Sequence, residues 1–452
     1  SIQTARDYRE CASRHQRLVD AIEKPADAPI RQSHGRVRMK QDSRLHTLDR
    51  TLDRVLAYRP GRRTALAQSV GGAAAPLHFY EFFARGGMAR IGLGPGWSCR
   101  FANDIDESKA SAYQCNFQDS DELVVEDIAK VAVADLPGRA HLAWASFPCQ
   151  DLSLAGNGAG LKGERSGMFW EFWRLVQGLR AGHRAPRIIV LENVYGAITS
   201  HEGRDMAAIC TALSSEGYRF APLVIDAAQF VPQSRPRLFI VGYADGIHPP
   251  ADLVCVTPVA PWHPEAFGMS FDLLDEAARK RWLWLRLPDA PARTTRLVDI
   301  IEDKPSSVEW HSAMETRQLL SMMTPINLEK VKAAKKSKVK MVGAIYKRTR
   351  LDDQGVKRQR AEVRFDDVAG CLRTPAGGSS RQIILVVEGQ KVRSRLLSSR
   401  EAARLMGIPD SYILPARYND AYHLAGDGVA VPVVSWLARH LIEPALVAEA
   451  AE

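Results

Sequence analysis

The sequence lacks two patterns that would place it in a specialised class of protein. Its seven cysteines are an odd number, and no two of them form a Cys-x-x-Cys pair. We therefore expect neither a disulfide framework nor a metal site, and a reducing cytosol fits. No run of about 18 apolar residues occurs, which argues against a membrane span. The polar first residues lack the apolar core of a secretion signal, so we expect no export.

The remaining composition is typical of a soluble globular protein, with 46% hydrophobic and 25% charged residues. At roughly 100–200 residues per domain, the length predicts two to three domains. The net charge of +9 favours a polyanionic partner. Residues 330–364, which we call the basic stripe, hold 13 Lys and Arg against 3 Asp and Glu. Phosphate neutralisation would use such a stripe, and a solvated surface loop explains it equally well.

From residue 77 to about 245, short apolar strands alternate with helical stretches. This alternation is typical of an α/β fold with a doubly wound, mostly parallel sheet. Such sheets bind ligands at the carboxyl ends of their strands. The predicted strands are 77–83, 99–104, 141–147, 187–194, 218–225 and 237–243, and the helices between them include 166–180 and 205–216.

The alternation stops near residue 250, which divides the chain into four parts. Residues 1–76 are predicted to form a basic helical N-terminal extension and a linker, and residues 77–250 the sheet domain. Residues 251–395 are predicted to form a smaller, irregular domain that contains the basic stripe. Residues 396–452 are predicted to return to the sheet domain as a C-terminal segment.

A cysteine follows the predicted strand at 141–147, within the sequence Ser-Phe-Pro-Cys149-Gln150. A thiolate at the carboxyl end of a strand is a good nucleophile, above all where neighbouring dipoles or cations lower its pKa. Taken alone, a buried and inert cysteine is the more common explanation.

Two further polar motifs lie at strand ends. Glu192 begins a Glu-Asn-Val motif, and a carboxyl group in an apolar pocket can donate a proton or a hydrogen bond. A helix cap or a solvated group would explain it too. Arg235 and Arg237 stand in a Gln-Ser-Arg-Pro-Arg sequence whose period of two puts both on one side of an extended chain. They could bind a phosphate or a base carbonyl, or be surface arginines.

Residues 79–93 run from a strand through a glycine-containing turn into a helix. This arrangement cradles nucleotide-like cofactors. Asp104 and Asp106 follow the next strand, where an acid can hold a ribose hydroxyl pair. A single glycine turn is weak evidence by itself.

Taken in order, these motifs resemble those of the bacterial DNA cytosine-5 methyltransferase family, in its restriction-modification or solitary form. The resemblance runs from about Leu77 to Leu446, with a gap over 250–365. Asp127-Ile128 matches the short family motif that holds the adenine, and residues 397–412 and 425–434 match the last two family blocks. The resemblance implies a Rossmann-like, S-adenosylmethionine-dependent methyltransferase, with a target-recognition domain at 251–395.

The resemblance also implies roles for the motif residues. Cys149 would attack C6 of a cytosine flipped out of the duplex, Glu192 would contact N3 and the exocyclic amine, and Arg235 would hold the base carbonyl or its phosphate. Gln150 and Arg237 complete the expected catalytic set. The cofactor site implied in the same way consists of Phe83, Gly87, Asp104, Ile105, Asp127, Ile128, Phe147, Gly428 and Val429, with Asp104 on the ribose and Ile105 over the adenine.

Two residues depart from the family pattern. Arg85 stands where the family has the first glycine of its turn. Glycine there allows a positive φ and a close cofactor approach, so arginine could strain the turn or crowd the methionine end of the cofactor. Asp427 stands where the family usually has asparagine, and it lacks the amide donors that could tie two loops together.

The expected partner is double-stranded DNA, and the variable region at roughly 251–380 is expected to choose the target sequence. We expect arginines there to enter the major groove, where arginine reads guanine. The expected DNA contacts are Ser153, Gln233, Tyr346, Lys347, Arg348, Arg350, Arg360, Arg373, Ser379 and Arg381. Residues 1–76 could bind the protein's own promoter, pack as a helical arm or mediate dimerisation. We expect a monomer on DNA in the bacterial cytosol or nucleoid.

Two other functions stay open at this point. A related enzyme that methylates tRNA shares the catalytic motifs, although the large basic variable region disfavours it. A DNA-binding regulator that has lost methyl transfer is the other alternative. Only Arg85 indicates such a loss, whereas the complete set of Cys149, Glu192 and Arg235 argues against it.

Overall fold

The computed structural model describes residues 76–117, 120–148, 167–351, 355–373 and 381–449. The predicted N-terminal extension lies outside these ranges up to residue 75. So do four predicted site residues, namely Cys149, Gln150, Ser153 and Ser379.

A seven-stranded sheet forms the centre of the fold, in the order β3-β2-β1-β4-β5-β7-β6. Strands β1 to β5 pair in parallel, and only β7 runs antiparallel to both of its neighbours. The predicted doubly wound, mostly parallel sheet is therefore confirmed. The strands are β1 (Leu77–Phe82), β2 (Trp97–Asp104), β3 (Leu123–Val125), β4 (Leu142–Ala145), β5 (Ile188–Val194), β6 (Tyr218–Asp226) and β7 (Pro236–Ala244).

Successive side chains of a strand point to opposite faces of the sheet, and apolar side chains occupy both faces here. Helices therefore cover the sheet on both sides. Phe79 and Trp144 face the C-terminal helices, whereas Tyr80 and Phe82 face the helices Met168–Ala181 and Arg204–Ser215. The helices between the strands are α1 (Met88–Leu93), α2 (Glu107–Asn116), α3 (Met168–Ala181) and α4 (Arg204–Ser215).

Three helices follow near the end of the chain: α10 (Tyr418–Asp427), α11 (Val431–Leu437) and α12 (Glu443–Glu449). The Ser435 hydroxyl in α11 donates to the Gly92 carbonyl in α1 at 2.7 Å. By length and composition the helical stretch Tyr418–Val447 could cross a membrane, but 67% of its most apolar window is buried inside the fold. Core helices of soluble proteins have this character.

Between the two helical regions lie a two-stranded antiparallel sheet, several helices and a four-stranded sheet. The short antiparallel pair of β8 (Val254–Cys255) and β9 (Trp284–Leu285) follows β7, with two helices between its strands. The Leu283 amide, just before β9, donates to the Phe220 carbonyl of β6 at 2.8 Å. The four-stranded sheet, which we call the second sheet, is antiparallel, in the order β11-β10-β12-β13. Its strands are β10 (Met341–Leu351), β11 (Lys357–Arg364), β12 (Ile383–Glu388) and β13 (Lys391–Leu396), and the helices of this region are α5 (Phe267–Leu273), α6 (Glu276–Arg281), α7 (Ala313–Ser321), α8 (Pro325–Lys336) and α9 (Ser399–Arg404).

A buried ion pair joins the second sheet to α9. The Arg395 guanidinium of β13 donates to both carboxylate oxygens of Glu401, at 2.6 and 2.7 Å, and both side chains are 0% exposed. Glu401 also accepts the backbone N–H groups of Ser398 and Glu302. The pair therefore ties β13 to the start of α9 and to the segment that contains Glu302.

Candidate active site

The carboxyl ends of β1, β2, β4 and β5 lie along one edge of the first sheet. Strands β2 and β3 extend the sheet on one side of β1, and β4 and β5 extend it on the other. The crevice between the ends of β1 and β4 is therefore the topological switch point, where doubly wound folds bind their ligands.

The turn after β1 is built from left-handed residues. Phe83, Arg85 and Gly87 have φ values of 57°, 54° and 73°, and this conformation is costly for the two that are not glycine. At Gly87 a side chain has no room, because an added Cβ atom would lie 2.3 Å from the Phe117 ring.

Asp104 ends β2 beside this turn and is 7% exposed. Its two carboxylate oxygens accept the backbone N–H groups of Arg85 at 2.7 Å and Asp106 at 2.9 Å. Asp106 itself caps α2 by accepting from Ser108 and Lys109. Asp106 therefore serves as a helix cap, and the contact of Asp104 with a ribose stays a prediction. Ile105 is 67% exposed and presents an apolar surface next to it.

The other predicted cofactor residues differ in accessibility. Asp127 caps a short 3-10 helix by accepting the Ala129 N–H at 3.0 Å. Ile128, Phe147 and Val429 are almost fully buried, so the structure places their side chains in the core. Gly428 is held close to α1, because an added Cβ atom would lie 2.0 Å from the Met88 sulfur.

Asp427 has a structural explanation that the sequence did not reveal. Its carboxylate pairs with the Lys109 ammonium of α2 at 2.8 Å, and both side chains are about one-quarter exposed or less. An ion pair therefore joins α2 to α10 at the position where an amide was expected to tie two loops.

Glu192 is 3% exposed, and its carboxylate lies 3.3 Å from Nε of Arg237. Glu192 belongs to β5 and Arg237 to the adjacent antiparallel strand β7, so the sheet itself brings them together. The Asn193 side chain donates to the Phe147 carbonyl at 3.3 Å, which links the end of β5 to the segment after β4. The sequence did not indicate this role of Asn193.

Arg235 has different partners from those expected. It is 1% exposed, and its guanidinium donates to the carbonyls of Leu372, Gly426 and Gly428 at 3.1, 2.8 and 2.7 Å. Burial, followed by the charge of Arg237, lowers the pKa of Arg235 to about 10. The expected contact of Arg235 with a base is thus not what the structure shows, because the group is buried and engaged by the protein.

Cys371 lies beside both arginines, and sequence reasoning missed it. Its sulfur is 3.4 Å from Nη1 of Arg235 and 3.7 Å from Nη2 of Arg237, so the two guanidinium groups do reach the same side of the chain. Burial alone would raise the pKa of the Cys371 thiol, but the two arginines bring it below its ordinary value.

Gln233 corrects another expectation. It was predicted to contact DNA, yet it is 0% exposed. Its amide donates to the Leu405 carbonyl at 2.7 Å and accepts the Leu372 N–H at 2.9 Å. Because both ends of the amide bond to protein, Gln233 cross-links buried segments and has no surface for DNA.

The predicted DNA residues of β10 and β11 fall on one hairpin. Arg348 stands opposite Arg360, and Arg350 opposite Arg358. Lys347, Arg348 and Arg350 are exposed and Arg360 is half-buried. Like charges directly opposite each other are unfavourable. The Glu362 carboxylate offsets this repulsion by pairing with Arg350 at 3.0 Å and with Arg348 at 3.7 Å.

The remaining predicted DNA residues are scattered. Tyr346 packs inward at Gly370, where an added Cβ atom would lie 2.4 Å from the tyrosine ring. Arg381 bonds to the Asn419 side chain at 2.5 Å and lies over the Tyr418 ring. Arg373 is exposed, and among the described residues no contact joins it to the hairpin.

The sequence is similar to several bacterial methyltransferases. The type II methyltransferase M.HpaII of Haemophilus parainfluenzae is 26% identical over 384 residues, which cover 81% of this chain and 89% of that protein. M.NlaX of Neisseria lactamica is 26% identical over 366 residues, covering 80% and 95%. M.HhaI of Haemophilus parahaemolyticus is 24% identical over 369 residues, covering 81% and 94%.

Solved structures are similar to this fold. The methyltransferase EhMeth of Entamoeba histolytica matches with a TM-score of 0.51 at 13% identity, covering 82% of this chain and 98% of that one. The Dnmt2 methyltransferase of S. pombe matches with a TM-score of 0.50 at 17% identity, covering 81% and 99%. At these identities the likeness concerns the fold alone.

The family model described as C-5 cytosine-specific DNA methylase matches residues 77–443. This span is most of the chain and includes the sheet, the switch-point crevice and the helices α10 and α11. The chain therefore belongs to the C-5 cytosine-specific DNA methylase family and is an enzyme of that class, with S-adenosylmethionine as its methyl donor.

Proposed function

We propose that the enzyme methylates carbon 5 of a cytosine that it flips out of double-stranded DNA, through a covalent bond between Cys149 and C6. The pair of Glu192 and Arg237, whose side chains are 4% and 13% exposed, carries this proposal. The pair stands at the end of β5, and the neighbouring Asn193 is bonded to Phe147. Phe147 precedes Cys149 by two positions in the sequence.

The chemistry of the base explains why these groups belong together. Carbon 5 of cytosine is a poor nucleophile until a nucleophile adds to C6. The Cys149 thiolate forms the C6–S bond, and the electron pair of the C5–C6 double bond moves to C5. Glu192 contacts N3 and the exocyclic amine and stabilises the charge there, with Arg237 orienting its carboxyl group. The electron pair at C5 would form the new bond to the methyl group, whose bond to the sulfonium sulfur of the donor breaks. Loss of the C5 proton to a base then re-forms the C5–C6 double bond, and the C6–S bond breaks as the Cys149 thiolate leaves.

The residues at the ends of β1 and β2 fit the cofactor. Asp104 keeps a carboxylate at the crevice, Ile105 offers an exposed apolar side chain to a flat ring, and Gly87 leaves the turn without a side chain. These groups would hold the ribose, the adenine and the amino-acid part in turn. When it is bound, S-adenosylmethionine supplies the methyl group that carbon 5 receives.

The hairpin of β10 and β11 is the surface that we assign to DNA. Its arginines stand in two cross-strand pairs that an anionic backbone would stabilise. We place this hairpin, with Lys347, Arg348, Arg350 and Arg360, in the target-recognition domain at 251–395. Alanine at Arg348, Arg350 and Arg360 together should weaken DNA binding or relax the target sequence. Unchanged affinity and specificity would exclude this surface.

Methyl transfer to nucleic acid tests the proposal. Labelled S-adenosylmethionine is incubated with unmethylated plasmid DNA and, in parallel, with tRNA, and the product nucleosides are identified. We expect label in 5-methylcytosine of DNA, lost in Cys149→Ser and Glu192→Gln and retained in the matched control Cys255→Ser. Label in tRNA alone, or full activity of Cys149→Ser, would contradict the proposal.

Several finer expectations belong with this function. The relatives carry type II names, so we propose a role in a restriction-modification system in the bacterial cytosol. We also propose that the enzyme acts as a monomer on DNA. Deleting residues 1–70 and measuring methylation and binding to its own promoter separately would show whether residues 1–76 are a regulatory arm.

A further inference from the structure

Arg85 spans the switch-point crevice. It belongs to the turn after β1, and its guanidinium Nη2 donates to the Ser146 carbonyl just after β4, at 3.0 Å. Its backbone N–H meanwhile bonds to Asp104 at the end of β2. One residue therefore connects the ends of three adjacent strands at the place where the fold binds ligands.

The guanidinium of Arg85 has no counter-ion among the residues that the structure describes. Asp104 accepts the backbone N–H of Arg85 and not its side chain, and the side chain itself donates to the neutral Ser146 carbonyl. The side chain is half-buried, and a cation in such a place is costly without an anion. The left-handed φ of 54° is a second cost. Residues held at such cost are often part of a binding site.

We propose that Arg85 binds the carboxylate at the amino-acid end of S-adenosylmethionine, taking it in place of the Ser146 carbonyl. The inference rests on the proposed placement of the ribose at Asp104, to which Arg85 is directly bonded. With the ribose at Asp104, the amino-acid end of the ligand would lie at the turn after β1, beside Arg85. Arginine is suited to this role because its planar fork matches a carboxylate. The replacement of a turn glycine thereby adds a charged contact to the cofactor site.

The proposal concerns binding and not the transfer step, so it is tested without catalysis. The ligands are S-adenosylhomocysteine and its decarboxylated analogue, which keeps the amine and lacks only the carboxylate. Isothermal titration is carried out on the wild type, Arg85→Met and Arg85→Gly. The glycine variant guards against misfolding, because it also removes the left-handed arginine. Arg100→Met is the matched control, since Arg100 is an exposed arginine of β2.

In the wild type and in Arg100→Met, removing the carboxylate should weaken binding by about 30-fold, the range for a charged hydrogen-bonded pair. In Arg85→Met and Arg85→Gly, removing the ligand carboxylate should weaken binding by less than about 3-fold, because the guanidinium that pairs with it is already absent. The same loss in all four proteins would overturn the proposal. So would an Arg85→Met protein that binds both ligands normally and DNA more weakly, which would assign the guanidinium to a phosphate. Failure of the wild type to bind S-adenosylhomocysteine would refute the cofactor placement itself.

Discussion

Breaking the buried pair of Arg395 and Glu401 should be among the most damaging single changes outside the active site. Both side chains are 0% exposed, and the two charged hydrogen bonds measure 2.6 and 2.7 Å. Arg395→Met leaves the Glu401 carboxylate buried with the N–H groups of Ser398 and Glu302 as its remaining donors. An uncompensated buried charge costs about 3–5 kcal/mol, and we expect that loss of unfolding free energy.

A double-mutant cycle separates the pair from its surroundings. Glu401→Gln alone leaves the buried guanidinium without its anion, so it should cost a similar amount. The double variant removes both charges, and its cost should fall below the sum of the single costs by about 2 kcal/mol. Urea denaturation followed by circular dichroism gives each free energy.

The exposed pair of Lys332 and Glu329, with side chains 65% and 67% exposed, is the matched control. Lys332→Met should leave the denaturation midpoint unchanged, because exposed pairs contribute little. Raising the salt concentration should not rescue Arg395→Met, since buried charges are poorly screened. A loss below about 1 kcal/mol for Arg395→Met, or strict additivity in the cycle, would refute the reasoning.

Three further predictions follow from other parts of the structure. Arg235→Met removes the donor of three buried carbonyls and should lower the unfolding free energy by about 3–5 kcal/mol, with Arg235→Lys intermediate; equal stability in urea would contradict this. Burial raises the pKa of Glu81 to about 8, so the folded state keeps a proton that the unfolded state releases above about 4.5, and stability should fall as the pH rises between these values. In the wild type the unfolding free energy should fall by at most about 1.4 kcal/mol per pH unit in this range, and Glu81→Gln should reduce that dependence. Urea denaturation at a series of pH values measures both. Arg348→Ala with Arg350→Ala should reduce the slope of log affinity against log salt by about 1 for each phosphate that the hairpin no longer neutralises, and an unchanged slope would argue against the hairpin.

Local patterns were enough to predict the sheet. All six predicted strands coincide with strands of the structure, because each has an apolar run between turn residues. The sequence missed β3, which has only three residues, Leu123–Val125. It also missed the second sheet altogether, because residues 251–395 were predicted to be irregular. The exposed half of the β10–β11 hairpin carries charge instead of an apolar alternation.

The site was predictable as a set of motifs but not as a set of contacts. The period of two correctly placed Arg235 and Arg237 on one side, where both reach Cys371. Their different roles depend on partners far away in sequence. The carbonyls that hold Arg235 lie 137 to 193 residues further along the chain, and Gln233 meets Leu405 across 172 residues. No local pattern contains such pairings.

The covalent step is the central claim, and trapping it is the most direct test. DNA in which every cytosine carries fluorine at C5 cannot lose a proton there, so the C6–S bond should persist once the methyl group has been transferred. We predict that the wild type with S-adenosylmethionine forms a complex that survives denaturing electrophoresis, and that Cys149→Ser forms none. Methylation of ordinary DNA by Cys149→Ser, or a denaturation-stable complex with that variant, would contradict the account.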